Sequence, residues 1–142
     1  MPRRTRWWIK VAGSGEHPFT RDDWQPLSER SLFPRRPSIR GGDRLVVYAA
    51  GSAAVYGDGR IFALQEVVSP EPEPSGHPRW KWALQVRMLD SVPLLSHAPA
   101  LWQIGVAARS LGRHSHISLT EEQGRTAEEL IRRYAAESGS GD

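Results

Sequence analysis

Glycine and proline cut this chain into short pieces, and that punctuation limits its fold more than any other feature. WWIKVAG (7–13) is an apolar run closed by Gly13 and Gly15, and it reads as a buried strand. GGDRLVVYAAG (41–51) and GDGRIFALQEVVS (57–69) are each a turn followed by an apolar strand, and the glycine-rich connection makes them antiparallel neighbours. PEPEPSGHP (70–78) suits neither a helix nor a central strand, so it is expected to be an exposed acidic loop. RWKWALQVRML (79–89) alternates, with Trp80, Trp82, Leu84, Val86 and Met88 on one face, and HSHISLT (114–120) alternates again as a last strand.

Between Ser14 and Gly42 no period persists, because Pro18, Pro26, Pro34 and Pro37 interrupt it. An irregular run of that length in a compact domain is commonly functional, and one helical turn around DDWQPLSER is expected inside it. SHAPALWQIG predicts a short helix from near Ala98 to Gly105. Thr120 and Gln123 have capping-box spacing and open a helix that turns Leu130, Ile131 and Tyr134 to the core, while the final SGSGD is expected to fray.

Five or six strands with two or three short helices, in an order that does not alternate, argue against a doubly wound parallel sheet. A mixed α/β fold fits, built as a small curved sheet or partly open barrel with helices at its ends. At 142 residues one domain is expected over 1–142, with its core at about 6–136 and a flexible tail at 137–142.

The chain has no cysteine, which excludes disulfides, thiolate metal sites and a cysteine nucleophile and fits a reducing, cytoplasmic setting. MPRRTRWWIK lacks a signal-peptide apolar run, and no window approaches the ~20 apolar residues of a membrane span. No catalytic or metal constellation emerges either. His114 and His116 share a strand face without a third ligand, and VAGSGEHPF is not a phosphate-binding loop because no Gly-Lys-Ser/Thr follows. The reading is therefore of a protein that is not an enzyme and takes no cofactor.

What remains is basic and aromatic. The net charge of +3 is uneven: residues 1–44 carry +5 and residues 45–142 carry −2, and 17 of the 19 cations are arginine. A GC-rich genome also favours arginine, but it does not explain the N-terminal clustering. Arginine grips phosphate bidentately and stacks on bases. Six tryptophans are many for so small a body. One of Trp7 and Trp8 is expected inward and the other outward, and Trp82 and Trp102 are expected to be structural. Trp24 and Trp80, at loop boundaries beside Arg21 and Arg79, are the candidates for an exposed pocket. Aromatic walls approached by arginines suit a nucleobase drawn out of its stack.

The order of these motifs resembles the EVE domains of the PUA-like superfamily, relatives of the YTH readers of methylated adenine. WWIKVAGS is similar to the family's first strand, RDDWQPL to its tryptophan loop, and GGDRLVVYAAG to its Gly-Asp turn and strand. RIFALQEVV, PRWKWALQVRMLDSVPLLSHAPAL and GRHSHISLTEEQGRTAEELI resemble the segments that follow, so the likeness covers about residues 6–134. It implies a PUA-like pseudo-barrel that flips a modified base into an aromatic cage, most readily 5-methylcytosine in DNA. By position Lys10 and Ser14 would read the base edge, and Trp24 and Trp80 would stack on it. The third wall is open among Tyr48, Tyr56 and His77. Arg21, Arg35, Arg36 and Arg113 would hold phosphates. The expected partner is methylated DNA, with an RNA base read by the same fold as the alternative and no membrane partner. The lysine-glutamate-arginine motif of the similar ASCH domains is missing, which weighs against a nuclease.

Overall fold

A computed structural model of the protein describes residues 4–12, 30–49, 59–93, 97–111 and 114–139. Among these residues seven strands form a mixed sheet: β1 (Trp7–Ala12), β2 (Arg30–Phe33), β3 (Arg44–Ala49), β4 (Arg60–Val67), β5 (Glu73–Pro74), β6 (Trp82–Ser91) and β7 (His116–Leu119). Their spatial order is β2-β6-β4-β3-β1-β7, with β5 paired to β6 off that path. β1 runs parallel to β3, with Trp8 beside Leu45 and Lys10 beside Val47, and antiparallel to β7, with Lys10 beside His116. β3 and β4 are the expected antiparallel pair.

The sheet curls until its ends approach each other. The Lys10 ammonium on β1 donates to the Leu32 carbonyl on β2 at 2.5 Å, and the Phe33 ring of β2 meets the His116 ring of β7 edge-on at 5.2 Å. Side chains close this junction; among the described residues no backbone ladder joins β2 to β7. One apolar cluster gathers Trp8, Phe33, Ile39, Leu45, Val67, Leu84 and Val86. On the other face of β1, Ile9 packs with Val46, Tyr48, Ile61 and the buried residues of the helix α1 (Glu121–Gly139).

Both β1 tryptophans are buried, because both faces of that strand are covered. Trp8 enters the cluster inside the curl, and Trp7 lies against α1, where Gly124 leaves room for its ring. Asp43, only 1% exposed, ties the start of β1 to the start of β3. Its carboxylate accepts the Trp8 indole N–H at 3.1 Å and the backbone N–H groups of Arg6 at 3.2 Å and Arg40 at 3.1 Å. The turn before it uses Gly42 at φ 90°, a conformation that favours glycine.

Several expectations need correction. Among the described residues there is one α-helix, not two or three short ones. The helix predicted at 98–105 is a 3-10 turn (Leu101–Ile104) that ends at Gly105 with φ 79°, and a second 3-10 turn spans Ala108–Leu111. The tighter turn buries Leu101 and Ile104 and leaves Trp102 65% exposed, so Trp102 is not structural. α1 begins with the predicted capping box: the Thr120 backbone N–H donates to Gln123 Oε1 at 3.0 Å, and the Gln123 N–H donates to Thr120 Oγ1 at 3.1 Å. It continues to Gly139, past the start of the expected tail. β2 lies within the run read as irregular, and the acidic loop contributes the two-residue strand β5, which contains a proline. No helix among the described residues is long and apolar enough to cross a membrane.

Candidate functional site

Alternation along β1 places Lys10 on the same face as Trp8, and the curl brings the β2 end and the loop before β6 over it. The Lys10 side chain is enclosed, with the residue 7% exposed. Its ammonium lies 4.3 Å from the centre of the Phe33 ring and 5.3 Å from that of Trp80. His116, beside Lys10 in the β1–β7 register, contacts Phe33 and also Trp8, whose ring centre is 5.7 Å away.

Trp80 is held by its own loop. His77 Nδ1 accepts the backbone N–H groups of Trp80 at 3.0 Å and Arg79 at 3.1 Å, and the Ser75 hydroxyl donates to the Trp80 carbonyl. That arrangement makes His77 a brace for Trp80. The Arg79 guanidinium sits 5.8 Å from the Trp80 ring, so the arginine and tryptophan that adjoin in sequence also pair in space.

The result is a cation among aromatic faces with little water. Burial lowers the Lys10 pKa from 10.5 to about 8. Burial also lowers that of His116, and the positive charges of Lys10 and His114 add to the effect. Near neutral pH the site therefore holds an ammonium with N–H groups to donate, beside an imidazole favoured in its neutral form.

The depressed Lys10 pKa has a measurable consequence for stability. Between about 8 and 10.5 the unfolded chain binds the extra proton, so stability should rise with pH across that window. The full effect is on the order of 3 kcal/mol. Comparing the pH dependence of unfolding free energy in wild type and Lys10→Met isolates it, because the opposing influence of Tyr48, whose pKa burial raises, is common to both. The variant should have the flatter curve; equal slopes would mean that Lys10 does not titrate there.

Of the base-binding residues expected from sequence, the structure brings Lys10 and Trp80 together. Tyr48 is a correction: in the parallel β1–β3 register it lies beside Val11, and Val47 is the residue beside Lys10. Tyr48 is buried in the core over Gly59, on the opposite face of the sheet. Arg35 and Arg36 are exposed just after β2, and Arg36 lies 5.5 Å from the Trp82 ring and 3.7 Å from the Glu71 carboxylate. Ser14, Trp24, Tyr56, Arg21 and Arg113 lie outside the described residues.

Phe33, His116 and Trp8 were not singled out as site residues by sequence. Trp8 shares the Lys10 face by alternation alone. RSLF before Pro34 is a four-residue strand signal masked by the prolines around it, and His116 needed the β1–β7 register.

No family model matches the sequence, and no curated protein matches it. Solved structures do share its fold. A hypothetical protein from Leishmania major superposes with a TM-score of 0.59 at 12% identity, covering 94% of this chain and 97% of that one. Rpa0253 from Rhodopseudomonas palustris gives 0.55 at 14% identity, covering 93% and 94%. PSPTO5229 from Pseudomonas syringae gives 0.53 at 17% identity, covering 88% and 99%. These likenesses extend over nearly the whole of each chain, and at such identities they establish the fold alone.

Proposed function

We propose that this protein is a nucleic-acid-binding reader that flips a modified base, most readily 5-methylcytosine in DNA, into an aromatic cage around Lys10 and Trp80. The observation that carries this reading is the meeting of Lys10 with the Trp80 and Phe33 rings, two of the three residues being those that the likeness to EVE domains assigns to a base pocket. The curled sheet is compatible with a PUA-like pseudo-barrel. An ammonium only donates hydrogen bonds, so it suits the O2 and N3 acceptors of cytosine. The exposed guanidiniums of Arg35, Arg36 and Arg79 flank the site and are suited to phosphates.

Flipping a base costs a few kcal/mol, and stacking on an aromatic ring returns ~1 to 3 kcal/mol, so phosphate contacts must supply much of the affinity. Binding should therefore weaken steeply with salt. One methyl in an apolar pocket is worth about 1 to 3 kcal/mol, which sets the expected preference at roughly 10- to 200-fold.

The test is a titration with matched oligonucleotides, methylated and unmethylated, DNA and RNA, at two salt concentrations. Trp80→Ala should lose the methyl preference and keep most of the salt slope. Equal affinity for methylated and unmethylated DNA would sink the methylcytosine reading, a preference for RNA would favour an RNA reader of the same fold, and a salt-independent complex would exclude both.

A further inference from the structure

On the sheet face opposite Lys10, a cleft of about 520 Å³ opens between the start of β1, the start of β3 and the outer side of α1. Thr5, Trp7, Arg44, Arg125, Glu128 and Arg132 line it. We propose that this cleft binds an organic phosphate, gripped by Arg44, Arg125 and Arg132. The proposal is independent of base reading at Lys10.

The charge arrangement is the first argument. Glu128, 6% exposed, receives the Trp7 indole N–H, the Arg44 guanidinium and, at 3.4 Å, that of Arg132. Glu121 is likewise shared by Arg4 at 2.5 Å and Arg125 at 3.0 Å. Glu129, the other carboxylate on the cleft wall, pairs with Arg133 at 3.1 Å. Three guanidiniums and two carboxylates line the cleft, an excess of one positive charge, which becomes two when the neighbouring Arg4, Arg133 and Glu121 are included. A phosphate monoester carries close to two negative charges near neutral pH.

Donor geometry is the second. Arg44, Arg125 and Arg132 each contact a carboxylate through one terminal nitrogen, and a guanidinium has five N–H groups, so donors remain for a ligand. Arg125 and Arg132 are seven residues apart, nearly two helical turns, which keeps them on one side of α1. Arg44 approaches from β3. Planar forks converging from a strand and a helix suit a tetrahedral oxyanion with several acceptor oxygens better than a single carboxylate. The cleft volume lies within the range of small-ligand sites and exceeds what a bare phosphate needs, leaving room for an organic body.

The Trp7 indole N–H, bonded to Glu128 on the cleft wall, provides a local reporter in a proton–nitrogen correlation spectrum, assigned by its loss in Trp7→Phe. The full chain would be titrated separately with inorganic phosphate, adenosine monophosphate, adenosine and a short unmethylated oligonucleotide. Phosphate and the monophosphate should shift the Trp7 signal saturably, and adenosine should not. Arg125→Gln and Arg132→Gln replace side chains that are 69% and 54% exposed, so both variants should fold, as a thermal melt would verify. Each should weaken the monophosphate about tenfold or more, the scale of a lost hydrogen bond to a charged group. Tighter binding of the oligonucleotide than of the monophosphate would identify the source as a nucleic-acid backbone, and the reverse a free phosphomonoester. No saturable shift with phosphate or monophosphate, or undiminished binding by both glutamine variants, would overturn the proposal. Trp80→Ala should leave the phosphate and monophosphate titrations unchanged, which separates their outcome from that of the base-binding test.

Discussion

Replacing Asp43 by alanine is expected to lower the unfolding free energy by about 3 to 6 kcal/mol, measured by urea denaturation. The Asp43 carboxylate accepts from the Trp8 indole and from the backbone N–H groups of Arg6 and Arg40. Alanine leaves three donors without an acceptor, the Trp8 indole buried and the two backbone groups part-buried, and a buried unsatisfied donor costs about 1 to 3 kcal/mol. Local relaxation and water entry recover part of the sum, which is why the lower half of the possible range is expected. The loss is still a large share of the ~5 to 15 kcal/mol that holds a domain together. Asp43→Asn separates the contributions, since it keeps one acceptor oxygen and nearly the same shape. It should fall between wild type and alanine, whereas an asparagine variant as unstable as alanine would show that the full carboxylate is required. Wild-type stability in Asp43→Ala would mean that the Trp8, Arg6 and Arg40 donors find other partners.

Gly124→Ala should be nearly as damaging, against the ordinary expectation for a helix. In an exposed helical position alanine is more favourable than glycine by about 1 kcal/mol. At Gly124 a Cβ would lie 2.1 Å from Trp7 Cγ and 2.6 Å from Trp7 Cβ. The second distance is one that no rotamer change of Trp7 relieves, because Cβ is fixed to the backbone. The helix must move off β1, with a net loss of about 3 kcal/mol at the upper end of overpacking penalties. Truncating Trp7 to alanine leaves the Cβ–Cβ conflict in place, so it should not rescue the variant. A thermal midpoint equal to or above wild type would show that the α1–β1 contact is looser than described.

Local signals and non-local ones fared differently in the sequence. The capping box at Thr120 and Gln123, the inward helix residues Leu130, Ile131 and Tyr134, and the paired strands β3 and β4 depend on neighbours or on short-range periodicity, and they were legible. β2 was not, because RSLF gains its partner only in β6, where Arg30 pairs with Gln85 far along the chain. The facing of Tyr48 hinged on a parallel register between β1 and β3, which no local pattern encodes. Trp102 was misjudged because a four-residue 3-10 turn distributes its side chains differently from an α-helix. At the candidate site the motif order gave Lys10 and Trp80, while Phe33 and His116 came into view only when the curl brought β2 and β7 together.

That junction is held differently from the rest of the sheet. Elsewhere adjacent strands are sewn by repeated backbone bonds, but β2 meets β1 and β7 through side chains: the Lys10 bond to Leu32, the Lys10 and His116 contacts with the Phe33 ring, and the packing of Phe33 with Trp8 in one buried cluster. Parting them leaves every strand ladder intact. It would also expose Phe33, which is fully enclosed, so the closure is sealed by apolar packing around one cation and not by hydrogen-bonded strands.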